Sequence, residues 1–343
     1  MSKIDIKSLS KTELETRLKE LGAEKFRASQ VFRWLYKTGV RHIDEMMDLP
    51  AGLRDKLKKS FHITYPVLLD SRVSRLDGTS KYLLKLEDGN TIETVYLSEK
   101  DRSTICLSSQ VGCRYGCLFC ASAKSGLIRD LTVSEILDEV LFVMREKPGL
   151  RITNLVFMGI GEPLDNYDNV MKAIRILNDK DAFGIGARRI TISTCGIIPA
   201  MKRLEEEGLQ FELSVSLHSA DESVRGRIVP ADKKYPLKDL ILACRDYIEK
   251  TNRVITFEYV MMNGVNVSEK DARGLLRLLR GIKCKVNLIS YNQIRAQGYE
   301  PPDARQAREF ADILKGGGLN VTRRNSKGED IDAGCGQLRI SEL

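Results

Sequence analysis

The 343-residue sequence contains no run of eighteen or more apolar residues, which excludes a segment able to cross a membrane as a helix. Its opening, Met1-Ser-Lys-Ile-Asp-Ile-Lys7, lacks the apolar stretch of a secretory signal, and no internal repeat or low-complexity tract occurs. A cytoplasmic protein without membrane contact is expected. Histidine is scarce, with three in the chain, and none neighbours the densest group of metal-binding residues. What is present suffices for a large core: 42% hydrophobic content over a length that allows two or three domains.

Charge is in modest excess and unevenly placed. The chain carries 55 Lys and Arg against 47 Asp and Glu, a net +8, and residues 1 to 60 alone hold 14 basic against 9 acidic residues. A polyanionic partner is the natural inference, though a charge this small carries little weight alone. Candidate backbone contacts are Lys56, Lys58 and Lys59, Arg188 with Arg189, Lys233 with Lys234, and Arg323 with Arg324. Any one of these is equally well read as solvated surface.

The periodicity changes along the chain. Thr12 to Leu21 places Leu14, Leu18 and Leu21 on one helical stripe, and Ser29 is positioned to cap a second helix carrying Val31, Trp34 and Leu35. A basic third helix falls near Leu53 to Ser60. Lys81 to Leu86 and Thr91 to Leu97 then read as a hairpin across Glu87-Asp-Gly-Asn90. From residue 104, strands at Thr104 to Ser109, Ile152 to Met158, Arg189 to Thr194, Phe211 to Leu217, Ile255 to Met262 and Lys285 to Tyr291 alternate with helical stretches. One such helix opens on the capping box Thr132-Val-Ser-Glu135. Six units of this kind predict an α/β fold with a parallel sheet curled into a barrel or partial barrel, its site at the C-terminal strand ends. A flat doubly wound sheet is the alternative.

The densest chemistry lies just after the first of these strands. Cys113, Cys117 and Cys120 stand as C-x3-C-x2-C, without a fourth cysteine close by to complete a tetrahedral zinc site. Three thiolates can hold an iron-sulfur cubane whose fourth iron stays open to a small molecule. The second strand ends in Met158-Gly-Ile-Gly-Glu162-Pro163, where glycines admit close approach of backbone and a carboxylate follows. Beside an open iron that can chelate S-adenosylmethionine, this turn offers acceptors for the ammonium group. Ser193, Ser216, His218 and Asn292 end other strands and converge on the same mouth, although each alone is as well explained by capping or a turn.

Taken in order, these segments resemble the RlmN/Cfr class of radical S-adenosylmethionine RNA methyltransferases over essentially the whole chain, the RlmN branch in particular. The matching stretches are Thr91 to Val95, Cys106 to Cys120, Gly159 to Pro163, Ser216-Leu-His218, Val286 to Asn292 and Asp332 to Leu338. Phe26 to Trp34 is similar to the family's N-terminal accessory domain, which is thought to contact RNA. The resemblance implies a radical-SAM partial (β/α)6 TIM-like barrel. It divides the chain into a helical accessory RNA-binding domain at 1–62, a β-ribbon linker at 63–100, the core barrel at 101–320 and a C-terminal segment at 321–343.

The resemblance also assigns roles. Cys113, Cys117 and Cys120 would ligate a 4Fe-4S cluster, and Gly161, Glu162, Ser193, Ser216, Leu217, His218 and Asn292 would bind S-adenosylmethionine, two molecules per turnover. Cys335, between Gly334 and Gly336, matches the cysteine methylated on sulfur as an intermediate; Cys106 matches the resolving thiol and Glu93 the proton acceptor. Without the resemblance, Cys335 reads as an incidental thiol and Glu93 as a solvated strand residue, while Cys195, Cys244 and Cys284 carry no assigned role. The implied reaction is methylation of adenine carbon 2 in 23S rRNA, in the peptidyl-transferase region, and in tRNA at the adenosine 3′ of the anticodon. A monomer served by an external electron donor such as flavodoxin or ferredoxin is expected. Rival readings are Cfr-like carbon-8 methylation, a radical enzyme acting on a small metabolite, and a non-enzymatic zinc-dependent RNA-binding protein.

Overall fold

A computed structural model of the chain describes residues 3–294 and 298–338. Ten strands form its main sheet: β1 (Val67–Val73), β2 (Ser80–Lys85), β3 (Thr91–Glu99), β4 (Arg102–Cys106), β5 (Asn154–Phe157), β6 (Ile190–Thr194), β7 (Glu212–Ser216), β8 (Ile255–Met261), β9 (Cys284–Ser290) and β10 (Val321–Arg324). They lie side by side in chain order. The first four are antiparallel, and β4 through β10 run parallel. A doubly wound sheet reverses its order once; this one never does, so successive crossovers advance in one direction and the sheet curls as a partial barrel. Its two edges, β1 and β10, do not pair with each other among the described residues.

All six expected parallel strands form, and β10 extends them by a seventh, too short and charged in Val-Thr-Arg-Arg to stand out by periodicity. The hairpin closes over Asp88 and Gly89 as its turn chemistry requires, with β1 added on its far side. After β4 the chain makes the cysteine loop within a short two-stranded ribbon, Gln110–Gly112 with Leu127–Asp130, before the first crossover helix.

Residues alternate across the sheet. Ile92, Ile105, Leu155, Ile190, Ile192, Leu213, Val215, Phe257, Tyr259, Val286 and Leu288 face the outer helices and belong to one continuous buried cluster. The other face carries Ser193, Ser214, Ser216, Glu258 and Asn287. Parallel strands normally bury apolar side chains on both faces, so polar residues along one face mark a cavity lining.

Helices α1 (Lys11–Glu20), α2 (Arg27–Arg33) and α3 (Ala51–Ser60) precede the sheet. Ser29 does not cap α2: the helix begins two residues earlier behind Phe26, with no side-chain cap, and Ser29 lies inside its first turn. This helical unit rests on α4 (Val133–Glu146), whose start is held by the Thr132–Glu135 capping box. Lys7, 1% exposed, donates to Asp138 of α4 at 2.5 Å, and the Tyr36 hydroxyl donates to the Lys7 carbonyl. Burial raises the Asp138 carboxyl to about 6 against the opposing pull of Lys7. Lys11 and Arg33 both reach Asp181 in the core. Leu14, Leu18, Val31, Phe32 and Leu35 join the same buried cluster as the sheet.

Candidate active site

The cysteine loop sits over the C-terminal ends of the parallel strands. Cys113, Cys117 and Cys120 line one cavity together with Gly161, Glu162, Ser193, Ser216, His218 and Cys335. The loop is held by its backbone: Cys113 N–H donates to the Gly126 carbonyl, Leu118 N–H to Ile228 and Cys120 N–H to Cys117. Burial pushes the Cys113 thiol up to about 12 and the Cys117 thiol well above its ordinary value, each reinforced by the neighbouring thiols. Among the described residues no three His, Cys, Asp or Glu side chains close round a single ion. Three thiols lining one cavity suit a cubane held through three of its irons.

The glycine turn lines the cavity and also packs closely against its neighbours. A Cβ on Gly159 would stand 2.7 Å from the Leu107 carbonyl oxygen, and one on Gly161, at φ +105°, would stand 2.6 Å from Gln110 Cβ. These glycines let the turn pack against the segment that launches the cysteine loop, so their first function is to join the two. Glu162 is 4% exposed; its carboxylate accepts from Cys195 N–H at 2.8 Å and Leu164 N–H at 3.0 Å, while burial raises its proton affinity.

His218 has φ +59°, a strained conformation for a residue with a Cβ. Its Nδ1 accepts from Val260 N–H at 3.0 Å, so the proton resides on Nε2, which has no protein partner and lies in the cavity wall. Burial, then Arg225, pushes its pKa down to about 3, and the ring packs against Phe119 of the cysteine loop at 4.3 Å. Arg225, wholly buried, is paired with Asp232 and donates to the carbonyls of Cys195 at 2.9 Å and Ser216 at 3.3 Å, tying two strand ends together.

Not every residue singled out in the sequence lines the cavity. Leu217 lies in the apolar core. Asn292 instead holds the C-terminal loop, its Nδ2 donating to the Cys335 carbonyl at 3.0 Å. That loop is further fixed by Ala121 N–H to the Gly336 carbonyl and Ser122 Oγ to the Leu338 carbonyl, both at 2.6 Å. Ile331, Ala333 and Leu338 pack with Val95, Cys106 and Ile160 in a small apolar cluster separate from the main core. Cys335 is thereby brought to the strand that carries Cys106, across more than 200 residues of sequence. Burial raises the Cys106 thiol far above its ordinary value, with Cys335 the next cause.

Glu93 of β3 shares the Val95 and Cys106 face of the sheet, is 4% exposed, and pairs with Lys81 Nζ at 3.2 Å. Beneath it lies a carboxylate network: Glu139 accepts from Thr94 Oγ1 and from Ser108 N–H, and Ser108 Oγ donates to the Glu93 carbonyl.

Three cavity residues escaped sequence reasoning. Glu258 accepts from Ser214 and Asn287 through one oxygen while the other has no partner. A carboxylate amid the apolar run of β8 was the available signal. Cys195 follows directly on a strand end, a position that marked it. Arg324, grouped by sequence with RNA-contacting pairs, lines the cavity instead. Of the other basic candidates, Lys58 is paired with Asp44 and Asp55, Lys56 donates to the Leu21 carbonyl, and Arg188 binds Gln210.

Comparison with known proteins matches residues 107–276 to the radical SAM superfamily and residues 4–63 to the ribosomal RNA large subunit methyltransferase N-terminal domain. A probable dual-specificity RNA methyltransferase RlmN from Alkaliphilus oremlandii (strain OhILAs) is 45% identical over 100% of this chain and 99% of its own length. The protein of that name from Clostridium novyi (strain NT) is 44% identical over 95% of each chain. The crystal structure of a radical SAM methyltransferase from Sphaerobacter thermophilus superposes with a TM-score of 0.93 at 41% identity, covering 98% of this chain and 99% of the other.

Proposed function

Because the chain belongs to the RlmN family of radical S-adenosylmethionine RNA methyltransferases, we propose that it methylates carbon 2 of adenine in 23S rRNA and in tRNA through a methylated Cys335. The chain is a radical SAM enzyme that uses a 4Fe-4S cluster and two S-adenosylmethionine molecules per turnover. Bound at Cys113, Cys117 and Cys120, with Gly161, Glu162, Ser193, Ser216 and His218 around the donor, these cofactors supply the methyl group for Cys335 and the radical that activates it. Adenine carbon 2, between two ring nitrogens, is electron-poor, so a polar methyl transfer to it is disfavoured and a radical route is needed.

The protein's own residues carry the remaining steps. Cys335 presents the one-carbon unit to the base and becomes linked to the RNA through it. Glu93 takes the proton from the ring carbon. Cys106 attacks the Cys335 sulfur, forming an S–S bond as the S–carbon bond breaks. The electron pair of the broken bond leaves with the carbon, which takes up a proton to become the methyl group. The adduct's unpaired electron would return to the bound cluster, which an external electron donor such as flavodoxin or ferredoxin would serve, while a thiol reductant restores the two cysteines. The observation that carries this reading is the docking of the Cys335 loop on the strand of Cys106, at the rim of the cavity walled by the three cysteines. The helical unit of residues 1–62 would contact RNA, whose unpaired adenosines can be splayed into a pocket. No helix among the described residues is long and apolar enough to cross a membrane.

The test is to incubate anaerobically reconstituted protein with rRNA and tRNA substrates and S-adenosylmethionine carrying a labelled methyl. Mass spectrometry of the nucleosides should find the label on carbon 2 of adenine. Label on carbon 8, or a colourless protein holding zinc without iron and sulfide, would overturn the reading.

A further inference from the structure

Lys81 is a buried cation for which the reaction as described has no use. It lies on β2, diagonally across from Glu93 on β3, on the face that also carries Val95 and Cys106. Its side chain is 9% exposed and that of Glu93 5%. An ammonium has three donors, and two of their acceptors are identified here: Glu93 Oε1 at 3.2 Å and the Asp332 carbonyl at 3.0 Å. Asp332 stands three residues before Cys335, at φ +53°, where the chain turns into the loop. One ammonium thus bridges the carboxylate and the hinge of the segment bearing Cys335, a contact spanning 251 residues.

A buried ion pair is by itself weak grounds for function, since desolvation offsets much of the attraction. The second contact is what a plain ion pair does not need. It fixes the position of the carboxylate relative to the loop that presents the RNA-linked carbon, and misplacement of a proton acceptor by an ångström is costly.

We infer that Lys81 is a positioning residue for the proton-transfer step, holding Glu93 and the Cys335 loop in one register. The inference rests on the reading of Glu93 as proton acceptor. In that step the C–H bond at the ring carbon of the Cys335–RNA adduct breaks, its electron pair stays with the adduct, and the proton passes to a Glu93 carboxylate oxygen. Lys81 keeps its own protons. Proton transfer leaves its charge beside a neutral carboxyl, which weakens the bridge at the moment when the RNA must leave. Methylation of Cys335 precedes this step and makes no demand on Glu93.

The experiment compares cluster-loaded wild type, Lys81→Met, Lys81→Arg and Glu93→Gln with an RNA substrate. Four quantities are followed across pH: methyl on Cys335, 5′-deoxyadenosine, protein-linked RNA and methylated RNA. Lys81→Met should lower the first two by no more than about fivefold, the loss of one hydrogen bond to the loop, while release of linked RNA slows at least about tenfold beyond that, the low end of what a displaced proton-transfer group costs. Its release rate should also lose the wild-type pH profile, and Lys81→Arg, which restores a cation and donors, should recover most of the loss. Release from Lys81→Met at the wild-type rate overturns the inference, as does Lys81→Arg retaining as much linked RNA as Lys81→Met. If Lys81→Met fails to load its cluster, Lys81→Gln, which retains a donor without the charge, replaces it under the same criteria. Glu93→Gln separates the two levels. If it stalls while Lys81→Met does not, only the role of Lys81 falls; if it releases RNA normally, the proton-acceptor reading falls and this inference with it.

Discussion

Replacing Gly336 by alanine tests whether the docked Cys335 loop is the productive conformation. Gly336 has φ +84°, a conformation that costs a residue with a Cβ about 1–2 kcal/mol. The added Cβ would stand 2.5 Å from the Phe119 carbonyl oxygen, a backbone atom beside Cys120 that has little freedom to retreat. Relief requires the loop to lift, losing the bond from Ala121 N–H to Gly336 O and straining that from Ser122 to Leu338 O. With about 1 kcal/mol per hydrogen bond, the docked state is disfavoured by about 2–4 kcal/mol. That is about 30- to 800-fold in the docked-to-undocked ratio.

The assay is the time course of methyl appearance on Cys335, read by intact-protein mass spectrometry. Because the wild-type loop starts largely docked, the observed rate should fall at least about tenfold, with the melting temperature nearly unchanged since undocking is local. Gly334→Ala is the internal control. Its Cβ meets the ends of the Asn292 and Gln337 side chains at 2.7 and 2.8 Å, which can rotate aside. It should lose about fivefold, equivalent to about 1 kcal/mol. Gly336→Ala methylating within twofold of wild type, or Gly334→Ala proving the worse of the two, would refute the reasoning.

Other consequences follow from the same geometry. Cys106→Ala should leave Cys335 methylation intact yet accumulate RNA covalently linked to protein, which a denaturing gel detects; free RNA product at the wild-type rate would remove Cys106 from the resolving role. Arg225→Met strands the buried Asp232 carboxylate and two strand-end carbonyls, and should cost about 3–5 kcal/mol in denaturant unfolding. Lys11, then the Ser29 hydroxyl and Arg33, hold Asp181 down to about 2 from its ordinary 3.8. A depressed carboxylate pKa contributes stability that is present above the unfolded value and lost as pH falls through the folded one. This junction should therefore weaken between about pH 4 and pH 2 by on the order of 1 kcal/mol, with Asp181→Asn flattening that part of the acid unfolding curve.

Much of this architecture is legible in the sequence because it depends on local periodicity. The six parallel strands from β4 to β9, the hairpin across Asp88-Gly89 and the capping box at Thr132 are each set by residues within a few positions of one another. β10 was not, since four residues with two arginines carry no period. The start of α2 was misread for a related reason: Ser29 has the chemistry of a cap, but packing of Ala28, Val31 and Phe32 carries the helix back past it.

The sequence by itself marked Cys113, Cys117 and Cys120 as three thiols close enough to serve one group, because a short thiol spacing is a local constraint, and the structure places all three in the wall of one cavity. The sequence left the strand order open between a curled and a doubly wound sheet, which the topology resolved in favour of the first. Only the tertiary structure decided which distant residues meet. It turned Glu258 and Arg324 into the cavity, sent Leu217 to the core, gave Asn292 to the Cys335 loop and bridged Glu93 to Asp332 through Lys81. The longest of these contacts spans 251 residues, all are fixed by the curvature of the sheet and the packing of a terminal loop, and no local pattern encodes them.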